Sequence, residues 1–192
     1  MASILLIFST HDGQTARIAE RIDQVLREAG HVVDIHTDEA AGLGVDILRH
    51  DAVVIGGAVH MGRHAHSLEE LVRHNHAKLA ARPNAFFSVS LSAAGTEAQR
   101  GDASRVMAEF FLRTGWQPDD VAIFAGALPY TRYNPFLRFL MKLIVSKAGG
   151  DTDTSRDYEY TDWAAVDRFA SAIAAKLAVK HTSLEPSRVA RP

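Results

Sequence analysis

The first segment whose residue types could do chemistry is Ser9-Thr10-His11-Asp12-Gly13-Gln14-Thr15, set between a short apolar run and a helical pattern. Such a loop can hold an anion without lysine. Backbone N–H groups at the helix start and the positive end of the helix dipole face the charge, while Ser9, Thr10 and Thr15 offer hydroxyls. Gly13 lets the chain close around the anion. Asp12 would repel a phosphate and reads as a turn former. The glycine spacing matches neither the dinucleotide fingerprint nor the Gly-Lys-Ser/Thr of a nucleotide P-loop. A mononucleotide is therefore the favoured ligand, against the plainer alternative of an ordinary Ser/Thr/Gly-rich turn.

Two further loops suit the approach of a flat ring. One holds Ala58, Val59, His60, Met61 and Gly62; the other holds Ser90, Leu91, Ser92 and Gly95. Backbone donors there would stabilise negative charge on a reduced cofactor ring. His60 is the histidine best placed by position to touch that ring, its alternative being a surface loop residue. His64 and His66 lie nearby, and His74 and His76 follow on a helical stretch. With no cysteine in the chain and no acid at ligand spacing beside these histidines, no metal is expected. No catalytic acid or base stands out.

The elements that must position these loops are legible from hydrophobic period. Residues 4–8, 32–35, 52–57, 85–91 and 121–127 are short apolar runs and read as strands. Helical stripes separate them: Ile18, Ile22, Val25 and Leu26 before Gly30; Leu68, Leu71, Val72 and Leu79; Val106, Phe110 and Phe111 before Gly115. The last helix carries Trp163, Val166, Ala170, Ile173 and Leu177 on one face, with Thr161 as its expected N-cap. Apolar strands alternating with helices predict an α/β fold, a doubly wound five-stranded parallel sheet in the order 2-1-3-4-5. In that order ligands sit at the carboxyl ends of the first, third and fourth strands, where the three loops lie.

Residues 128–160 do not fit this alternation and read as a helical insertion after strand 5. Asn134 and Pro135 suit a helix start and Gly149-Gly150 a stop, giving a helix about 21 Å long at roughly 1.5 Å per residue, too short to span a bilayer. It is apolar nearly all round. Its charges, with those just before it, are Arg132, Arg138, Lys142 and Lys147, all basic. Such a helix can lie on an anionic membrane or cover an apolar substrate; the alternative is burial against the sheet edge or a second copy of the chain in a homo-oligomer. Arg132, Tyr133, Arg138 and Lys142 are the candidate substrate or membrane contacts.

Bulk properties agree with a compact enzyme or carrier. At 192 residues the chain suits one domain, taken as 1–180, and residues 181–192, with two prolines and little apolar content, read as a frayed tail. A formal charge of -2 and no long basic block argue against a nucleic-acid partner, and mildly against a strongly charged electron shuttle. The apolar run at residues 4–8 is too short, and lacks the basic start, for a secretory leader, so the expectation is a cytoplasmic protein.

Taken together, the stretches FSTHDGQT, VVIGGAVHMGRH, RPNAFFSVSL, AGALPYTRY, RFLMKLI, AGGDTDT and YTDW resemble the bacterial menaquinone-dependent protoporphyrinogen IX dehydrogenases, long-chain relatives of flavodoxin. The similarity runs from about residue 5 to about residue 174. The first loop alone says only flavodoxin-like; the block from Gly126 to Asp162 is the specific part. The resemblance implies a flavodoxin-like fold, FMN, and removal of six electrons from protoporphyrinogen IX in haem biosynthesis. It further implies delivery to menaquinone or ubiquinone, at the cytoplasmic side of the membrane as a peripheral protein. By that analogy residues 133–148 would meet the membrane, quinone or tetrapyrrole, and Arg132 and Arg138 would pair with substrate propionates. The chain departs from the family at Met61, where relatives carry an aromatic, and over residues 93–104, which are less basic. An electron-transfer flavodoxin and a flavin-dependent quinone reductase are the alternatives, the second weakened by the lack of another nucleotide loop.

Overall fold

The computed structural model describes residues 1–147 and 149–184. Its elements in order are β1 (Ser3–Ser9), α1 (Gln14–Glu28), β2 (Val32–Thr37), α2 (Asp38–Ala41), β3 (Ala52–His60), β4 (Arg63–His64), α3 (His66–Ala80), β5 (Asn84–Ser90), α4 (Glu97–Thr114), β6 (Asp120–Ala125), β7 (Ala127–Leu128), α5 (Pro135–Lys147), β8 (Tyr158–Glu159) and α6 (Trp163–Leu184). Five strands pair in parallel in the order β2-β1-β3-β5-β6, and the two-residue β4 folds back antiparallel onto β3. With β4 set aside this is the 2-1-3-4-5 arrangement that the apolar runs predict, in a flavodoxin-like α/β sheet. Strand order reverses between β1 and β3, whose ends stand level at Ser9 and Gly57.

The sheet is buried on both faces, which is why its strands are apolar throughout. On one face Ile4, Leu6, Val54 and Phe87 pack against Ile18, Ile22 and Leu26 of α1 and Val166, Ala170 and Ile173 of α6. On the other, Leu5, Ile7, Val53, Ile55 and Phe86 pack against Leu68, Leu71 and Val72 of α3 and Phe110 of α4. Gly56 is needed opposite Phe87 on the adjacent strand β5: a Cβ there would stand 2.1 Å from the Phe87 ring. Such overlap would force Phe87 out of place.

The insertion forms a third small core from Leu128, Tyr130, Tyr133 and Val145, with Met141, Tyr158 and Tyr160 against it. Its helix keeps the expected bounds. Asn134 precedes α5, and Gly149, at φ +75°, ends it, with the Gly149 and Gly150 N–H groups donating to the Ser146 and Val145 carbonyls.

Three boundaries differ from the sequence reading. The expected fifth strand breaks at Gly126, whose N–H donates to Ser90 O (3.0 Å) and whose carbonyl accepts from Tyr160 N–H (3.1 Å). Residues 127 and 128 then leave the main sheet to pair with β8 as a two-stranded ribbon. The N-cap of α6 is Asp162 rather than Thr161. Asp162 Oδ1 accepts from Ala165 N–H at 3.1 Å, while the Thr161 hydroxyl is spent on the Ala125 carbonyl at 2.7 Å. Finally, α6 continues through Leu184, past the start expected for the tail, and residues 185–192 lie outside the described residues. Asp162→Ala is expected to lower unfolding free energy by about 1 kcal/mol in urea titration, the usual cost of an N-cap; no change would return the cap to Thr161.

Candidate functional site

The loops after β1, β3 and β5 converge at the carboxyl end of the sheet and enclose a cleft of about 440 Å³. Of the residues expected there, His11, Asp12, Gln14, Thr15, Ala58, Val59, His60, Met61, Gly62, Ser90, Leu91 and Ser92 line it. Ser9, Thr10 and Gly13 belong to the loop but do not line the cleft, and Gly95 faces a neighbouring cavity instead. The structure adds Val89, Gly126 and Ala127 from the strand ends, Asp102, Ala103, Arg105 and Val106 from α4, and Met141 from α5. A helix-facing pattern carries no sign that one turn of α4 ends at a ligand cleft, so the α4 residues had no sequence signal. Arg105 is engaged with Asp102 (3.1 Å) and Glu109 (2.9 Å) along its own helix.

The loop between β1 and α1 carries the donors an anion needs. Gly13 takes φ +91° at the head of α1, and no acid stands in that helix's first turn. Among the described residues no side chain caps α1, so its opening N–H groups keep their donor capacity. The Gly13 N–H itself donates to Thr10 Oγ1 at 3.1 Å, closing the loop. Thr15 is buried, and Ser9 Oγ is buried with no hydrogen-bond partner among the described residues. Uncapped helix N–H groups at a glycine turn, beside the Thr10 and Thr15 hydroxyls, are donors that a phosphomonoester would satisfy. The residues therefore fit the phosphate of a flavin mononucleotide.

The ring end of the cleft is bounded by histidines. His11 and His60 stack with ring centroids 4.0 Å apart, tilted by 32°. His60 pairs with Arg63 across a tight hairpin whose two central residues, Met61 (φ +50°) and Gly62 (φ +75°), are both left-handed. Glycine takes that conformation freely and methionine does not, so the hairpin holds Met61 in an uncommon backbone state. Its side chain points outward, 90% exposed. The other histidines of this region separate. His64 turns into the core and shares a hydrogen bond with Ser88 Oγ at 3.0 Å, and His66 lies on the surface. Burial, aided by the nearby Arg113 cation, pushes the His64 pKa down to about 4.

The insertion folds back onto the anion loop, a relation that no local pattern announced. Tyr133 OH donates to Asp12 Oδ2 at 3.1 Å, and burial, reinforced by that carboxylate, raises the phenol's pKa. Arg132 reaches the loop glycine: a Cβ on Gly13 would stand 3.8 Å from Arg132 Nη1. Gln14 Nε2 donates to Thr161 Oγ1 (2.8 Å) and Glu159 Oε1 (3.2 Å), and Arg17 pairs with Glu159 at 2.7 Å. Trp163 Nε1 donates to the same Glu159 carboxylate at 2.7 Å. Of the other insertion candidates, Arg138 gives its guanidinium to the carbonyls of Tyr130 (2.9 Å) and Tyr133 (3.1 Å), and Lys142 is exposed.

Beside the cleft, and sharing Leu91, Ser92 and Met141 with it, lies a second cavity of about 580 Å³. Leu128, Val145, Gly149, Gly150, Asp151 and Tyr160 of the insertion form one wall, and Gly95, Thr96 and Gln99 the other. Ser92, Thr96, Gln99 and Tyr160 are polar, and the charged lining residue is Asp151, whose Oδ2 accepts from Tyr160 OH at 2.7 Å.

Comparison with known proteins agrees with this architecture. A family model described as flavodoxin domain matches residues 5–155. Flavodoxin 2 from Bacillus cereus superposes with a TM-score of 0.58 at 18% identity, over 91% of this chain and 99% of its own; an archaeal flavodoxin gives 0.52 at 16%, over 92% and 99%. Those two show the fold. Nearer relatives are the Escherichia coli K12 protein named protoporphyrinogen IX dehydrogenase [quinone], 37% identical over 88% of this chain and 93% of its own length, and a Leishmania major protein of the same name, 36% identical over 89% and 74%. By its matched domain and its similarity to these relatives over nearly the whole chain, this protein belongs to the flavodoxin-domain family, in the oxidoreductase group of the protoporphyrinogen IX dehydrogenases [quinone].

Proposed function

We propose that this protein binds FMN and oxidises protoporphyrinogen IX to protoporphyrin IX, passing the electrons to menaquinone or ubiquinone in haem biosynthesis. The observation that carries the reading is the second cavity. A plain electron carrier needs only an exposed ring edge, whereas a dehydrogenase of a large apolar substrate needs room beside its cofactor. Here the insertion walls off such a space next to the cleft.

Ser9, Thr10, Thr15 and the first N–H groups of α1 would hold the phosphate, and the loops at His60 and Ser90 would flank the ring. When bound, the flavin supplies a two-electron acceptor between substrate and quinone. Each round removes a hydride equivalent from carbon and a proton from the substrate; three rounds account for six electrons, and three quinones leave as quinols. Asp151, oriented by the Tyr160 hydroxyl, is the carboxylate placed to accept a pyrrole N–H hydrogen bond and receive its proton. Leu91, Leu128, Met141 and Val145 would exclude water from the tetrapyrrole face.

A membrane-borne quinone requires contact with a lipid surface, and α5 suits it. Phe136, Phe139 and Leu143 share one side of the helix and are 77%, 64% and 42% exposed, opposite Met141 and Val145, which pack inward. Lys142 stands exposed in the same helix. No helix among the described residues is long and apolar enough to cross a membrane, so the contact proposed is peripheral, on the cytoplasmic side.

The deciding experiment is an anaerobic assay of the yellow protein with protoporphyrinogen IX, with and without quinone. We expect quinone-dependent formation of protoporphyrin, and FMN as the flavin released on denaturation. Turnover that ignores quinone, or none with any quinone while flavodoxin-like electron transfer persists, would favour the carrier.

A further inference from the structure

We infer that Arg132 is a ligand of the cofactor phosphate, so that the insertion closes the cofactor site as well as walling the substrate space. The inference rests on the FMN reading above and reassigns Arg132 from the substrate propionates.

The anion seat has a charge problem that hydroxyls and N–H groups only partly solve. Asp12 lies within the loop, and its carboxylate would face a phosphate dianion at short range. Arg17, on the first turns of α1, is tied to Gln14 and Glu159. Arg132 is the guanidinium that comes to the seat itself, with Nη1 at 3.8 Å from the position of a Gly13 Cβ. Among the described residues its guanidinium makes no hydrogen bond and no ion pair within 4 Å, though the Asp157 carboxylate attracts it from a longer distance.

The geometry of the neighbouring residues makes this approach more than a chance of one long side chain. Arg132 closes the 3-10 turn Tyr130–Arg132, where its N–H donates to the Pro129 carbonyl at 3.0 Å. Thr131 beside it is held by Asp157, through its N–H at 2.8 Å and its hydroxyl at 2.9 Å. Tyr133 on the other side donates to Asp12, drawing that carboxylate towards the insertion. The turn therefore delivers a donor to the loop's anion and a cation to its glycine at once. At the end of β1, next to this loop, the buried Ser9 hydroxyl has no partner among the described residues.

Gly13 gains a second role by the same geometry. Its positive φ already requires glycine, and a Cβ there would lie in van der Waals contact with Arg132 Nη1. A planar guanidinium can meet two phosphate oxygens together, which selects phosphomonoester-bearing flavin over riboflavin.

The test is a comparison of two flavins that differ only in the phosphate. Apoprotein is titrated with FMN and with riboflavin, following quenching of flavin fluorescence. Arg132→Gln is expected to raise the Kd for FMN by about tenfold, equivalent to about 1.4 kcal/mol, and to change the Kd for riboflavin by less than about twofold. Arg132→Lys should recover part of the loss. Equal weakening of both flavins, or unchanged FMN affinity, overturns the assignment. A measurement on the unaltered chain guards against a variant that misfolds: phenylglyoxal modification of Arg132, read by peptide mass spectrometry, should be suppressed by FMN and not by riboflavin. Equal protection by the two, or by neither, also overturns it. Wild-type protein that binds no FMN would sink this inference together with the proposed function, whereas FMN binding indifferent to Arg132 sinks this inference alone.

Discussion

Replacing Phe136, Phe139 and Leu143 together by serine is expected to lower binding to anionic lipid vesicles by about 100-fold while leaving the fold and the FMN affinity intact. The three side chains are exposed on one side of α5 and take no part in the small core of the insertion, so their loss opens no cavity. Full burial of a Phe or Leu side chain contributes roughly 1.5–3 kcal/mol. At a lipid interface about half of that is realised, and three residues then give about 3 kcal/mol, or two powers of ten in partition. Co-sedimentation with vesicles containing acidic headgroups measures it, and raising the salt should weaken the residual binding carried by Lys142 and its basic neighbours. Wild-type protein that ignores vesicles but elutes as a dimer, reverting to monomer in the triple variant, would assign the face to a second copy of the chain instead.

A second large effect is expected from acid. The folded-state pKa of His64 is about 4, against 6.5 for the free side chain, because burial disfavours the imidazolium and Arg113 repels it. Above pH 6.5 the ring is neutral whether the chain is folded or not, and its contribution to stability is fully present. Between pH 6.5 and 4 the unfolded chain takes up a proton that the folded chain refuses, so stability falls as pH falls. Below about pH 4 the loss is complete, at about 3 kcal/mol for a shift of this size. The groups that set the effect come from several elements. The Phe86 and Phe110 rings lie 5.5 and 4.8 Å from the imidazole, Ser88 shares its Nε2 hydrogen bond, and Arg113 itself pairs with Glu69 of α3 at 2.9 Å. Urea unfolding at pH 7.5 and 5 should show wild-type protein losing about 2 kcal/mol more than His64→Gln over the interval. Parallel losses in the two proteins would mean that His64 titrates normally.

The α5 face and His64 show different degrees of legibility. The run of Phe136, Phe139 and Leu143 is visible in the sequence as an apolar helix with basic charge, framed by Asn134-Pro135 and Gly149-Gly150, and α5 keeps those limits. Which apolar side chains face outward is not visible, because apolar residues lie on nearly every side of the helix and the packing of the insertion decides between them. His64 reads equally as a surface histidine or part of a cluster with His60 and His66. It is buried because β4 turns back on β3 and carries the ring against Phe86 and Phe110.

The strands and helices of the parallel sheet followed from local hydrophobic period over a few neighbouring residues, and their order from the few crossovers that alternating strands and helices allow. Folding in three dimensions settled the break at Gly126, the left-handed Met61, the second cavity, and the seating of Arg132 and Tyr133 on the first loop. Tyr133 and Asp12 are 121 positions apart, and Gln14 and Thr161 are 147 apart. Hydrophobic period records which face of an element is buried, but not which distant polar partner waits there. Contacts of that kind exist only once the insertion has packed against the end of the sheet.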